Sequence, residues 1–277
     1  MRLLLLTALL WPAAGETAEI DIADPKLDDR GPGHYVYPNH PIFFRRGVFD
    51  LRRLIIEDAG KDWSIEVRIE RPSPDPVELR GTPVRYVRFP NELYFQNFDL
   101  YVLTPDAMEG ELRTDAVPGR NVTFAEGWNR AVVITPYPFQ VRGLIQDWPG
   151  HAQASLPGTV RTIGPRFSVK IPKEFFGPSK PREWRFAVIV SGAIPLTQDY
   201  RRADRKHVNA LTMPVRPNPG IMNFTGADLS PFNPSVIDIL APTPQAQFEE
   251  LAADDEFERT KPVSLRLRTA ADFIPES

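Results

Sequence analysis

Apolar and polar residues alternate along several stretches of this chain. Trp63, Ile65, Val67 and Ile69 are separated by Ser64, Glu66 and Arg68. Successive side chains of a strand face opposite sides of the sheet, so this pattern predicts a half-buried strand that stops at Arg71-Pro72. Phe167, Val169 and Ile171 repeat it before Pro172. The unbroken apolar runs Ala131–Ile134 and Phe186–Val190 predict strands covered on both faces. Further strands are expected over Phe49–Ile56, Tyr94–Leu103, Val141–Ile145 and Asn209–Met213. Helix is expected only as short turns, as at Pro172–Phe176. Many short strands divided by turn signals, with no strand–helix alternation, predict an all-β fold, an antiparallel β-sandwich with proline-rich loops.

Composition sharpens that picture. Thirty of the 277 residues are proline, about twice the usual share of roughly 5%. Helix interiors reject proline, whereas turns, strand starts and sheet edges accept it. From Pro242 the character changes, and Gln245–Glu258 is rich in acids and alanine. The expected organisation is a leader over 1–15, one β-sandwich over 16–242, and a charged tail or short helix over 243–277.

The leader expectation rests on Arg2, the apolar stretch Leu3–Leu10 and the small residues Ala13-Ala14-Gly15, the order of a secretory signal. The apolar stretch is shorter than the roughly 18 residues that a membrane-spanning helix requires. A periplasmic or secreted protein with no transmembrane segment after cleavage is therefore expected. The chain has no cysteine, which removes disulfides, thiolate metal sites, thiol nucleophiles and Cys-linked haem from consideration. Its formal net charge is −3, and a nucleic-acid partner would call for a strongly basic domain.

The densest chemistry lies in Asp24-Pro25-Lys26-Leu27-Asp28-Asp29-Arg30-Gly31-Pro32-Gly33. Two readings stand. Asp24, Asp28 and Asp29 supply carboxylate oxygens to a calcium ion, which takes 6–8 oxygen ligands; the balance would come from backbone carbonyls, water or a distant acid such as Asp50, Asp99 or Asp238. Alternatively, Asp28 and Asp29 cap a turn whose positive-φ positions are the glycines.

The run Asp28-Asp29-x-Gly31-Pro32-Gly33-x-Tyr35-x-Tyr37-Pro38, followed by Gly47-x-Phe49-Asp50-Leu51, resembles the opening of the glucodextranase C-terminal domain. Phe98-Asp99-Leu100-Tyr101, Pro118-Gly119-Arg120-Asn121 ahead of Trp128, and Asn233-Pro234-Ser235-Val236-Ile237-Asp238-Ile239-Leu240 continue the resemblance, which spans roughly Ile20 to Pro242. It implies a sandwich of the DOMON-like class, similar to carbohydrate-binding modules, attached without catalysis to polysaccharide or to a cell-envelope component. Relatives in that wider class bind sugars or haem, and a fold does not fix its ligand. A haem-carrying electron-transfer subunit and an accessory subunit packed on another exported protein are the alternatives.

Sugar rings stack their C–H faces on flat side chains, which makes Tyr35, Tyr37, Trp128 and Trp148, all in turn-rich segments, the candidate ligand contacts. Tyr137 lies in the same kind of segment, while Trp63 and Trp184 begin strands and are assigned to packing. No Gly-x-Ser-x-Gly, His-Glu-x-x-His or phosphate-binding glycine loop occurs, so no catalytic residue is expected. Haem is not the expected cofactor; its axial ligands would have to come from His34, His40 or His207 with Met213 or Met222. The basic stretch Arg201–His207 reads either as a solvated loop or as a grip for an anionic partner.

Overall fold

The computed structural model describes residues 18–29, 46–72, 96–193, 234–251 and 262–274. The leader, Tyr35, Tyr37, His34, His40, the Arg201–His207 stretch, the strand expected over Asn209–Met213, and Met222 lie outside the described residues.

Two five-stranded sheets face each other. The first runs β1 (Ile20–Ala23), β2 (Leu51–Ala59), β3 (Asp62–Ile69), β10 (Arg166–Pro172) and β9 (Arg161–Ile163), antiparallel throughout. The second runs β12 (Asp238–Ile239), β11 (Arg185–Gly192), β4 (Gln96–Leu103), β7 (Arg130–Ile134) and β8 (Ala154–Ser155). Only its last pair, β7 with β8, is parallel. Between the sheets lies a core in which Leu54, Ile56, Trp63, Ile65, Val67 and Phe167 meet Phe98, Leu100, Val132, Val188 and Val190. The all-β sandwich expected from the alternation is what the chain forms.

The two kinds of apolar pattern mark different positions in this architecture. On β3 buried and half-buried residues alternate without a break, because one face meets the core and the other does not. On β4, β7 and β11 nearly every residue is buried. The reason is a third layer. β5 (Arg113–Asp115), β6 (Val122–Trp128) and β13 (Val263–Leu265) form a small sheet. With helices α1 (Pro138–Ile145) and α3 (Pro244–Leu251) it covers the outer face of the second sheet. There Tyr101, Val133 and Ile189 pack with Phe124, Trp128, Val141, Leu251 and Leu265 in a second core.

Trp63 and Trp184 are packing residues, as expected: both are buried, their rings edge to face at 6.2 Å. The turn at Pro172–Phe176 contains the short helix α2 (Lys173–Phe176). One expectation changes. Val141–Ile145 is not a strand but the second half of α1. Pro138 stands in the first turn, where its missing N–H costs nothing, and Val141 donates to the Tyr137 carbonyl at 2.9 Å. Val141 and Ile145, four apart, then enter the same core. Beyond Pro242 the short helix that the sequence offers is α3. That segment adds to the sandwich: α3 supplies Leu251, and β13 pairs in parallel with β6, Val263 opposite Val122 and Leu265 opposite Phe124.

Candidate functional site

At one side of the sandwich the edge strand of the first sheet, β1, and the edge strand of the second, β12, lie close to the start of β2, and five aspartates gather there. Asp24 follows β1, where Pro25 can no longer donate to the sheet. The chain then turns through Leu27, whose φ of 66° lies in the left-handed region. The N–H of Leu27 donates to Asp50 Oδ2 at 2.8 Å, which fixes the turn and sets Asp28 and Asp29 beside it. Asp29 Oδ2 accepts from the N–H of Gly47 at 3.1 Å. Gly47 has φ of 88°, and a Cβ there would press on the Glu70 side chain at 3.1 Å, so the position suits glycine alone. Asp50 immediately precedes β2, and its carbonyl accepts from Glu70 at 2.8 Å.

Asp238 opens β12 and joins the two sheets: Oδ2 accepts from the N–H of Leu51 at 2.7 Å and Oδ1 from Ile239 at 2.9 Å. Asp24 Oδ1 in turn accepts from Ala241 at 2.9 Å. Gln247 of α3 closes the arrangement. Its amide oxygen accepts from Ile239 at 3.0 Å and its amide nitrogen donates to the Asp28 carbonyl.

These bonds use only part of the acidic oxygen supply. Asp24 Oδ2, both carboxylate oxygens of Asp28 and Asp50 Oδ1 are buried with no hydrogen-bond partner among the described residues. One oxygen each from Asp24, Asp28 and Asp238 lies within 4.8 Å of the others. Arg52 reaches the cluster with its guanidinium donating to the carbonyls of Asp24 and Pro25, while its Nε stands 3.5 Å from Glu70 Oε2, a carboxylate outside the cluster. Lys26 turns to Glu70, at 2.7 Å. Two like charges about 4 Å apart repel by roughly 4 kcal/mol at an effective dielectric constant of 20. Burial, and then the neighbouring Asp28, holds Asp24 well above the usual carboxylate range; burial and then Asp24 do the same to Asp238. Burial also raises Asp28, and it pushes Asp50 up to about 7.

Of the three distant acids that the sequence offers as partners for the Asp24–Asp29 run, two arrive and one does not. Asp99 is fully buried elsewhere, paired with an equally buried Arg120: Oδ2 accepts from Nε at 2.5 Å and Oδ1 from Nη2 at 2.9 Å. Gly119 and Asn121 on either side have φ of 92° and 56°, the tight turn that drives Arg120 inward. The two middle motifs of the sequence resemblance thus meet as one buried ion pair, with Tyr101 accepting from the N–H of Val117 at 3.0 Å beside it. Gln247, unmarked by any motif, had no signal in the sequence.

The aromatic candidates separate. Trp128 is wholly buried in the second core, its Nε1 donating to the Asp115 carbonyl at 3.0 Å, so it packs and does not meet a ligand at the surface. Tyr137 is buried in the same core. Trp148 is half-buried. Its Nε1 donates to Asp115 Oδ2 at 2.7 Å, and the Arg113 guanidinium lies over its ring at 5.3 Å. Gly150 makes room for it, since a Cβ there would meet the indole at 2.5 Å. His151, the histidine among the described residues, is exposed, as a surface histidine would be.

No helix among the described residues is long and apolar enough to cross a membrane. No curated protein matches the chain. A family model does: residues 20–265 match that of the C-terminal, SLH-like binding module of glucodextranase, across both sheets and the third layer through β13. The chain therefore belongs to the family of that binding module.

Proposed function

We propose that this chain is an exported, non-catalytic module that binds polysaccharide, free or displayed on the cell envelope. The observation that carries the reading is membership, over residues 20–265, in a family described as a binding module. Among the described aromatic candidates, Trp148 keeps exposed surface, and it stands beside an ion pair, Arg113 with Asp115 at 2.7 Å, able to donate to and accept from sugar hydroxyls. Tyr35 and Tyr37 complete the set of contacts to be tested.

The test is sedimentation of the purified protein with insoluble α-glucans and with isolated cell-wall sacculi, alongside an assay for released reducing ends. Binding to one of these polymers with no reducing ends released is the expected result, and Trp148→Ala weakens it at least tenfold. A protein that stays in the supernatant with every polymer sinks the reading, and released reducing ends would make it a glycosidase instead.

A further inference from the structure

We propose that Asp24, Asp28 and Asp238, with Asp50 beside them, form a calcium site that fastens β1, β2 and β12 together at one edge of the sandwich. The geometry is that of a cage. Calcium–oxygen distances are 2.3–2.6 Å, so two oxygens sharing an ion stand no more than about 5 Å apart. One oxygen from each of Asp24, Asp28 and Asp238 meets that limit, lying within 4.8 Å of the other two. The second observation is independent of the clustering. Buried polar atoms in proteins are nearly always paired, yet both oxygens of Asp28, one of Asp24 and one of Asp50 are buried without a partner. All four residues are at least nine-tenths buried.

The donor set selects the ion's class. It is all oxygen and largely anionic, with no histidine among these residues and no cysteine in the chain, which suits a hard cation and not zinc or copper. One oxygen of Asp24 and one of Asp50 are held by the N–H groups of Ala241 and Leu27, and both oxygens of Asp238 by those of Leu51 and Ile239. The carboxylates are thereby oriented before any ion arrives, as an outer shell orients metal ligands. A bound cation replaces mutual repulsion by attraction, so the ion is a staple between segments that are some 200 residues apart, Asp24 bonding to Ala241 across 217 positions.

The experiment uses the full chain stripped with EDTA, with calcium chloride as the probe, followed by titration calorimetry and thermal unfolding. Uptake of calcium is expected, with a rise in Tm of about 5–10 °C at one hundred times Kd. Asp28→Asn is the diagnostic variant, because neither oxygen of that carboxylate bonds to a described protein group. It lowers calcium affinity at least tenfold, while in EDTA it melts no lower than the parent. No heat and no Tm shift on adding calcium overturns the proposal. So does an Asp28→Asn protein that binds calcium as the parent does, or one that melts lower in EDTA, which would mean that the carboxylate works through a protein contact. The site stands or falls separately from polysaccharide binding, since neither readout involves a glycan.

Discussion

Arg120 and Asp99 show what a single buried pair asks of its neighbours. Burial would depress the guanidinium, and Asp99 more than offsets this, so Arg120 keeps its charge within a core that excludes water. Removing one partner strands the other. Arg120→Met is expected to cost about 3–5 kcal/mol in urea unfolding, and Arg120→Met combined with Asp99→Leu to recover most of it, because a matched apolar pair often replaces a buried ion pair at little cost. A single variant within 1 kcal/mol of the parent would show that Asp99 finds another partner. At this scale the sequence is legible where residues are near neighbours. Asp24, Asp28 and Asp29 declare themselves within six positions. Asp50 and Asp238 are visible only as acids available somewhere in the chain, since their arrival depends on which strands become sheet edges. Trp128 misleads for a similar reason: its flanks read as turn, and only the third layer, assembled from distant segments, buries it.

Among the elements, strands betray their surroundings better than their partners. The contrast between alternation on β3 and unbroken burial on β4, β7 and β11 follows directly from one covered face versus two, and apolar periodicity reports it faithfully. What covers the second face is harder to read. β13 is three residues long, and α1 carries too few apolar residues to fix a period, so that Val141 and Ile145 fit a strand as well as a helix. The C-terminal segment is nevertheless structural: Val263, Leu265 and Leu267 are buried in the second core, and Phe186 exchanges backbone hydrogen bonds with Arg268 at 2.8 Å in each direction. Each such side chain contributes roughly 1.5–3 kcal/mol on burial. Deleting residues 262–277 is expected to lower stability by at least about 3 kcal/mol and to expose a surface that binds an apolar dye. An unchanged urea midpoint would reduce this segment to an appendage.

For the molecule as a whole, the acidic edge ties stability to pH in an unusual direction. Carboxylates that gain cationic partners on folding are stabilising above their unfolded pKa. Here Asp24, Asp50 and Asp238 are raised, so without calcium the folded chain holds protons that the unfolded chain releases above about pH 4. Their contribution is therefore full below that value and is lost as pH climbs through each raised folded pKa, for Asp50 about 7. Asp28 and Asp29 add to the repulsion, and Arg52 offsets part of it. Calcium bound at the proposed site would favour the ionised forms and offset the loss. The gap in Tm between calcium and EDTA should accordingly widen from pH 5 to pH 7.5; a gap that stays constant would mean that these groups do not titrate with the ion.

The position of β13 and Asp238 in the chain also bears on timing. A polypeptide emerging from its first residue presents Asp24 and Asp50 early, but their counterpart at 238 and the strand that completes the third layer at 263–265 appear only when nearly everything else is out. Until then the outer face of the second sheet is covered only by β5, β6 and α1, and the acidic edge has no closing side. The second core and the acidic edge are thus completed only when the last segment is delivered.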